Sequence, residues 1–168
     1  MKRIAILASG EGTNAEHIIQ YFSERKTAKV VVVITNKPQA GVLNRADRLR
    51  IPTEFIPAQG FTEGRALEVL HRYQTDFIVL AGFLLKVPDD ILHDYPNKIV
   101  NIHPALLPKF GGKGMYGNRV HEAVIAAAEK ESGITIHFIN EHYDEGDTIF
   151  QATCPVMPDD TPETLAAR

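Results

Sequence analysis

The stretch Ile4–Ala15, "IAILASGEGTNA", joins an apolar run, a glycine-containing turn and the start of a helix-compatible segment. The run "IAIL" has the length and side chains of a buried strand. Gly10 and Gly12 let the backbone approach a ligand, and the helix after them offers free N–H groups and the positive end of its dipole. This order predicts the first βα unit of an α/β domain, with a turn that cradles a phosphate. The alternative is a glycine-rich turn that binds nothing.

Further along the chain, apolar runs alternate with helix-like segments. Val30–Ile34, "VVVVI", is apolar on both faces, as expected of a central strand in a parallel sheet. We predict more strands at residues 53–56, 77–81 and 99–103. The resulting β-α-β-α-β-α-β-α-β order predicts a doubly wound, mostly parallel, Rossmann-like α/β sheet. Two alternating segments, residues 134–139 and 148–156, have no helix between them and predict antiparallel strands near the C-terminus.

Helix boundaries are predicted from capping residues. Thr62 is a plausible N-cap for the helix that carries Leu67 and Leu70, and Pro88 suits the first turn of a short helix over 88–93. A strong helix is predicted over 120–129. Asp160 or Thr161, followed by Pro162, begins a last helix, and the chain ends about two turns later. We therefore expect residues 1–168 to form one domain whose sequence is cut inside a C-terminal helix.

Composition narrows the function classes. The 168 residues are 44% apolar and 23% charged, which is typical of one globular domain. A net charge of -3 gives no bulk attraction to nucleic acid or anionic membrane. The apolar run after Lys2 and Arg3 is too short for a signal peptide or a membrane span, so we expect a cytoplasmic protein. The single Cys154 excludes an internal disulfide.

A polar pair ends the last predicted parallel strand. Asn101 and His103 are two residues apart, so they point to the same side of the strand. Ligands of open α/β sheets bind beyond the carboxyl ends of the strands. An amide donor beside an imidazole suits a reaction in which negative charge develops on a carbonyl oxygen. The alternative is a structural histidine that bonds to backbone.

An acidic turn, "HYDEGD", lies between the two C-terminal strands. It contains Asp144, Glu145 and Asp147. A buried carboxylate near His103 would orient the imidazole and favour its charged form. By itself, the turn would be read as a solvated hairpin.

Other chemistries find less support. Cys154 is predicted to be a core residue, and no G-x-S-x-G motif is present. The second strand ends in "ITNKP" without an acid, which favours a phosphate monoester over NAD. No familiar zinc spacing involves His137 or His142. Four histidines on predicted helices are expected at the surface: His17, His71, His93 and His121. What remains is acyl-type transfer without a metal or a covalent enzyme intermediate.

Five segments in this order resemble the phosphoribosylglycinamide formyltransferases: "SGEGTN", "LAGFLLKVP", "NIHPALLPKFGGKGMYG", "VHEAV" and "HYDEGD". The resemblance covers essentially the whole chain. It implies a purine-biosynthesis (IMP) enzyme of one-carbon metabolism, which moves the formyl group of 10-formyltetrahydrofolate to the amine of glycinamide ribonucleotide. It implies two small-molecule substrates, no metal, no nucleic acid or membrane partner, and a monomer or homodimer.

The resemblance also assigns residues. Asn101 would hold the formyl oxygen, His103 would be the general acid, and Asp144 would tune it. The substrate phosphate would be bound by Gly12, Thr13 and Asn14. The folate would be bound by Leu84, Leu85, Lys86, Val87, Asn101, Asn140, Glu141, His142, Tyr143 and Asp144. Two positions depart from the usual pattern: Leu84-Leu85 replaces Met-Arg, and the alignment shifts at Gly64-Arg65, which affects contacts with the folate tail.

Several alternatives remain open from the sequence. Another folate-dependent formyltransferase, such as a methionyl-tRNA formyltransferase, would need a tRNA-binding domain. A formyltetrahydrofolate hydrolase would usually carry an extra N-terminal domain. A non-catalytic sugar-phosphate binder would not need His103. The hypothesis of an NADP oxidoreductase is supported only by Gly10, Gly12 and Lys37.

Overall fold

The computed structural model describes residues 1–168 and divides them into two compact units, Met1–Ile99 and Val100–Arg168. In the first unit, the strands β1 (Lys2–Leu7), β2 (Ala28–Thr35), β3 (Thr53–Phe55) and β4 (Phe77–Leu80) are parallel. Their spatial order is β3-β2-β1-β4. The helices of this unit are α1 (Thr13–Arg25), α2 (Gly41–Arg48), α3 (Ala58–Thr62), α4 (Arg65–Arg72) and α5 (Asp89–Asp94).

The second unit is built around antiparallel strands. It contains β5 (Ile99–His103), α6 (Asn118–Ala126), β6 (Glu131–Phe138), β7 (Thr148–Pro155) and α7 (Pro162–Ala167). The strand β6 pairs with β5 on one side and with β7 on the other. The predicted fold class is confirmed: a doubly wound, mostly parallel α/β architecture has an antiparallel addition at its C-terminal end.

The core of the first unit follows directly from its apolar strands. Val32, Val33 and Ile34 are fully buried in β2, and Ala5 and Ile6 are fully buried in β1. Burial on both faces explains why these runs do not alternate with polar residues. The glycine turn begins just after the end of β1.

Two predicted helix starts differ from the structure. Thr62 is not the N-cap of α4, because it lies in α3 and its hydroxyl donates to the carbonyl of Gln59 at 2.8 Å. Gly64 caps α4 instead, with a φ of 82° that glycine adopts without strain. Pro88 is the N-cap of α5 rather than part of its first turn.

The predicted start of the last helix is confirmed. Thr161 is the N-cap of α7, its hydroxyl accepts from the backbone N–H of Thr164, and Pro162 follows at the first helical position. Leu165 is 3% exposed, so this short helix is held by packing. None of the helices combines the length and apolar composition needed to cross a bilayer.

Candidate active site

Asn101 and His103 lie at the carboxyl end of β5 and are paired across the sheet with β6. Asn101 lies opposite His137, and His103 lies opposite Thr135. The Thr135 hydroxyl is fully buried, donates to the carbonyl of Ala105 at 2.6 Å and accepts from the N–H of Leu107 at 3.0 Å. These bonds hold the chain just after His103, so the strand end that carries the polar pair is fixed.

The hydrogen bonds of His103 define its ring orientation. Its side chain is 3% exposed, and its Nε2 lies 2.8 Å from the carbonyl oxygen of Phe110. Because a carbonyl can only accept, Nε2 carries a hydrogen. The other nitrogen, Nδ1, lies 3.7 Å from Oδ1 of Asp144. A second proton on this ring would therefore sit at Nδ1, beside a carboxylate that stabilises it.

Asp144 connects the acidic turn to the histidines and to the glycine-rich loop. Its Oδ1 lies 3.7 Å from His103 and 3.5 Å from Nε2 of His137, and its Oδ2 accepts from the N–H of Gly112 at 2.9 Å. Burial raises the pKa of Asp144, but hydrogen bonding to its carboxylate and the charge of His103 together lower it below its ordinary value. The carboxylate is thus charged at neutral pH and lies beside His103.

The rest of the acidic turn is open to solvent. Asn140, Glu141, His142 and Tyr143 are all exposed. The side-chain oxygen of Asn140 accepts from the N–H of His142 at 2.8 Å, which bends the backbone into a turn. The exposed residues of this turn and the half-exposed Tyr143 ring form an open surface.

In the first unit, the glycine turn leads into the start of α1. Gly12 is the N-cap of α1 with a φ of 77°, and Thr13 and Asn14 are exposed in the first helical turn. A Cβ built on Gly12 would lie 2.5 Å from the Val42 side chain. Only glycine fits there. An open cavity of about 300 Å³ lies beside the turn, with Ser9, Gly10, Glu11 and residues 37–41 in its wall.

The loop after β4 carries four of the residues predicted to bind the folate, Leu84 to Val87. The Ser9 hydroxyl accepts from the N–H of Leu84 at 3.0 Å and donates to Oδ1 of Asn36 at 2.5 Å, which anchors this loop to the end of β1. Leu84 is 43% exposed and Val87 is 4% exposed. Leu84 can therefore offer an apolar side chain to a ligand, whereas Val87 is part of the core.

Residues 2–168 match the formyl transferase family. This chain belongs to that family. The chloroplastic phosphoribosylglycinamide formyltransferase of Arabidopsis thaliana is 40% identical over 99% of this chain and 60% of its own length. The phosphoribosylglycinamide formyltransferase of Haemophilus influenzae is 37% identical over 100% of this chain and 80% of its own length. The chain thus spans less than two thirds of its plant relatives, 60% and 55% of their length.

Solved structures agree with this family assignment. The glycinamide ribonucleotide transformylase 1 of Symbiobacterium toebii superposes with a TM-score of 0.92 at 34% identity, and the match covers 99% of this chain and 79% of that one. The formyl transferase fold therefore extends over the whole of the present chain.

One side chain at the candidate site was not predicted from the sequence. His137 is fully buried, its Nε2 lies 3.2 Å from Nδ2 of Asn101, and its Nδ1 lies 2.9 Å from the carbonyl oxygen of Phe138. The sequence offered one signal, a lone histidine at an inward position of the alternating strand "ITIHFI". That signal does not identify which residue of β5 lies opposite the histidine.

Two further expectations are corrected. His121 is not a surface residue: it is partly buried, and its Nδ1 is enclosed without a hydrogen-bond partner. Burial lowers the pKa of His121, and the charge of His103 lowers it further. Cys154 is half-buried on β7 rather than in the core. The other helical histidines are exposed as predicted: His17, His71 and His93. No group of three or more His, Cys, Asp or Glu side chains is arranged to hold a metal ion.

Proposed function

We propose that this chain transfers the formyl group of 10-formyltetrahydrofolate to the amine of glycinamide ribonucleotide, a step of purine biosynthesis. The observation that carries the proposal is the grouping of Asn101, His103 and Asp144 within a formyl transferase fold. Its relatives in plants and bacteria bear the name phosphoribosylglycinamide formyltransferase. The grouping supplies a hydrogen-bond donor, a proton donor and a carboxylate, which are the groups that this transfer needs.

The proposed reaction is a direct attack. The amine nitrogen bonds to the formyl carbon, and the carbonyl electrons move to its oxygen, where the amide of Asn101 stabilises the negative charge. The oxyanion then re-forms the carbonyl as the bond to the folate nitrogen breaks. His103 gives its Nδ1 proton to that leaving nitrogen, and the attacking nitrogen loses one proton to solvent. Asp144 stabilises the imidazolium before transfer.

The remaining roles concern binding. Gly12, Thr13 and Asn14 bind the substrate phosphate through backbone N–H groups at the start of α1. On the folate side, Leu84 offers its exposed side chain and Val87 acts from the core by shaping the loop. The other folate contacts are proposed for the exposed turn and the rest of the β4 loop: Leu85, Lys86, Asn140, Glu141, His142 and Tyr143.

The Gly12→Ala variant tests the phosphate cradle. We expect a rise of about 10-fold or more in the KM for glycinamide ribonucleotide, because the new Cβ displaces the turn from Val42 and the positive φ disfavours alanine. The KM for the folate should change little. Gly10→Ala adds a methyl group to the same turn without a clash, since its Cβ would meet no protein atom within 4 Å, and it should raise this KM less. An unchanged KM in a folded Gly12→Ala protein would show that the substrate phosphate does not bind at this turn.

Direct attack predicts that no formyl-enzyme accumulates. Cys154 is the only thiol, it is half-buried on β7, and it is not among the hydrogen-bond or ion-pair partners of His103 and Asp144. We expect Cys154→Ala to retain turnover within about 2-fold, since surface changes away from a site have small effects. Mass spectrometry of protein quenched during turnover with 10-formyltetrahydrofolate checks the intermediate. A formyl adduct that forms and decays at the rate of turnover would contradict direct attack.

A comparison of acceptors tests the proposed function. The purified chain is mixed with 10-formyltetrahydrofolate and, in separate reactions, glycinamide ribonucleotide, initiator methionyl-tRNA or buffer alone. We expect folate turnover to depend on the ribonucleotide. Turnover with the tRNA would assign the other formyltransferase class, and equal turnover in buffer would assign hydrolysis.

Several expectations stay predictions. They are a single domain over residues 1–168, a cytoplasmic location, a monomer or homodimer, and no metal requirement. The contacts with the folate tail near Leu85 and Arg65 also stay predictions.

A further inference from the structure

We propose that His137 is a positioning residue, which fixes the Asn101 amide so that one of its N–H groups faces the formyl oxygen. The inference rests on the proposed formyl transfer, because it assigns a task to a residue beside the proposed oxyanion donor. His137 does not touch the substrate in this proposal. It acts through Asn101, which lies directly opposite on the neighbouring strand.

The hydrogen bonds of His137 define its tautomer. Nδ1 lies 2.9 Å from the carbonyl oxygen of Phe138, and a carbonyl can only accept, so Nδ1 carries the hydrogen. In the neutral ring Nε2 is then an acceptor. The side chain is 0% exposed, so bulk water does not compete for that lone pair. Two polar atoms lie near Nε2: Nδ2 of Asn101 at 3.2 Å and Oδ1 of Asp144 at 3.5 Å. Of these, the amide nitrogen has a hydrogen to donate to the lone pair.

This single acceptor selects one of the two amide orientations of Asn101. With Nδ2 towards His137, an N–H group meets a lone pair. If the amide turned over, Oδ1 would face that lone pair, and two acceptors would oppose each other in a buried place. An amide nitrogen has two hydrogens. One is used by His137, and the second remains for the oxyanion.

The positioning role requires a neutral His137 ring, and a carboxylate lies close to it. Oδ1 of Asp144 lies 3.5 Å from Nε2 of His137. A proton on Nε2 would be attracted to that carboxylate and would leave no lone pair for Asn101. Asp144 also lies 3.7 Å from Nδ1 of His103. A positive charge on His137 would therefore weaken the electrostatic stabilisation that Asp144 provides to a charged His103. A neutral His137 leaves Asp144 free to stabilise a charged His103.

The test is a double-mutant cycle that separates positioning from a general structural effect. His137→Leu removes the acceptor, and His137→Gln keeps one in its side-chain carbonyl. Each is made in the natural sequence and in an Asn101→Ala background. Loss of an oxyanion donor costs about 10²- to 10³-fold in kcat, and we expect His137→Leu to lose roughly 10- to 10²-fold, with KM changed little. His137→Gln should recover most of that loss.

In the Asn101→Ala background, His137→Leu should cost no more than about 2-fold, because the group that it positions is gone. An equal loss of kcat in both backgrounds would overturn the inference. Nitrogen-15 NMR of the imidazole gives a readout that does not need activity or a variant at His137. We expect a hydrogen on Nδ1 and none on Nε2, with the Nε2 shift changed by Asn101→Ala. A hydrogen on Nε2 at neutral pH would overturn the inference. Absence of formyl transfer by the natural chain would instead contradict the proposed function and leave the NMR result to decide the contact.

Discussion

We expect His103→Ala to lower kcat by roughly 10²- to 10⁴-fold, the usual contribution of a general acid. The proposed chemistry breaks a carbon–nitrogen bond, and the leaving nitrogen needs a proton as the bond breaks. In the structure, Nε2 of His103 donates a hydrogen bond to the carbonyl of Phe110. The proton for transfer therefore resides on Nδ1, next to Asp144. Alanine provides no proton at this position. Because the ring contributes to chemistry more than to binding, KM for the two substrates should change much less than kcat.

Two variants separate this effect from a loss of structure. His103 is buried, so its removal leaves the Phe110 carbonyl without a donor and lowers stability as well. His103→Gln can still donate a hydrogen bond but cannot act as an acid near neutral pH, and it should be nearly as inactive as His103→Ala. The exposed His93 on α5 is the control for loss of a histidine, and His93→Ala should retain turnover. A folded His103→Gln protein within a few-fold of the natural rate would show that another group is the acid.

Asp144→Asn is expected to lower kcat by roughly 10²-fold or more, since without the carboxylate the acid loses the charge that stabilises its protonated form. This substitution is a narrow test. Asp144 has a φ of 56°, a region that asparagine adopts more readily than most residues, and an amide oxygen can still accept from the N–H of Gly112. The shape of the turn is kept and the charge is removed. Asp147→Asn, in the same turn but exposed, is the matched control and should be nearly silent.

The lowered pKa of Asp144 also predicts how the stability of this variant depends on pH. A carboxylate whose pKa is lower in the folded chain than in the unfolded chain stabilises the fold above its ordinary pKa. That contribution disappears as pH falls through the lowered value. The natural chain should therefore be more stable than Asp144→Asn near neutral pH, and the difference should vanish in acid. Denaturant titrations at several pH values measure it, and a difference that grows in acid would contradict the lowered pKa.

The sequence alone predicts a large part of this site, for physical reasons that particular residues illustrate. Asn101 and His103 end an apolar run, and the period of a strand places them on one side. Their position therefore follows from local rules. Asp144 needed one further step, because a turn of three acids does not reveal which acid faces inward. The left-handed backbone at Asp144 and the N–H of Gly112 decide that, and the bond to Gly112 spans 32 residues of chain.

His137 could not be predicted in the same way. A lone histidine in an alternating strand is equally compatible with a core position and a site, and its role depends on which residue of β5 lies opposite. Register between two strands is set by the whole buried face, not by the histidine. The helix start at Gly64 was missed for a different reason, since Thr62 has the stronger capping preference but is already inside α3. The geometry of the turn between α3 and α4 outweighed the capping preference of Thr62.

The most direct test of the central claim follows the formyl carbon itself. Folate labelled with carbon-13 at the formyl group is mixed with glycinamide ribonucleotide and the purified chain, and the label is observed by NMR. The proposed function predicts that the signal moves from the folate to a formamide on the ribonucleotide, in step with the appearance of tetrahydrofolate, and that His103→Ala slows this transfer by at least 10²-fold. Label that appears as free formate, or label that stays on the folate while both ligands bind, would contradict the claim.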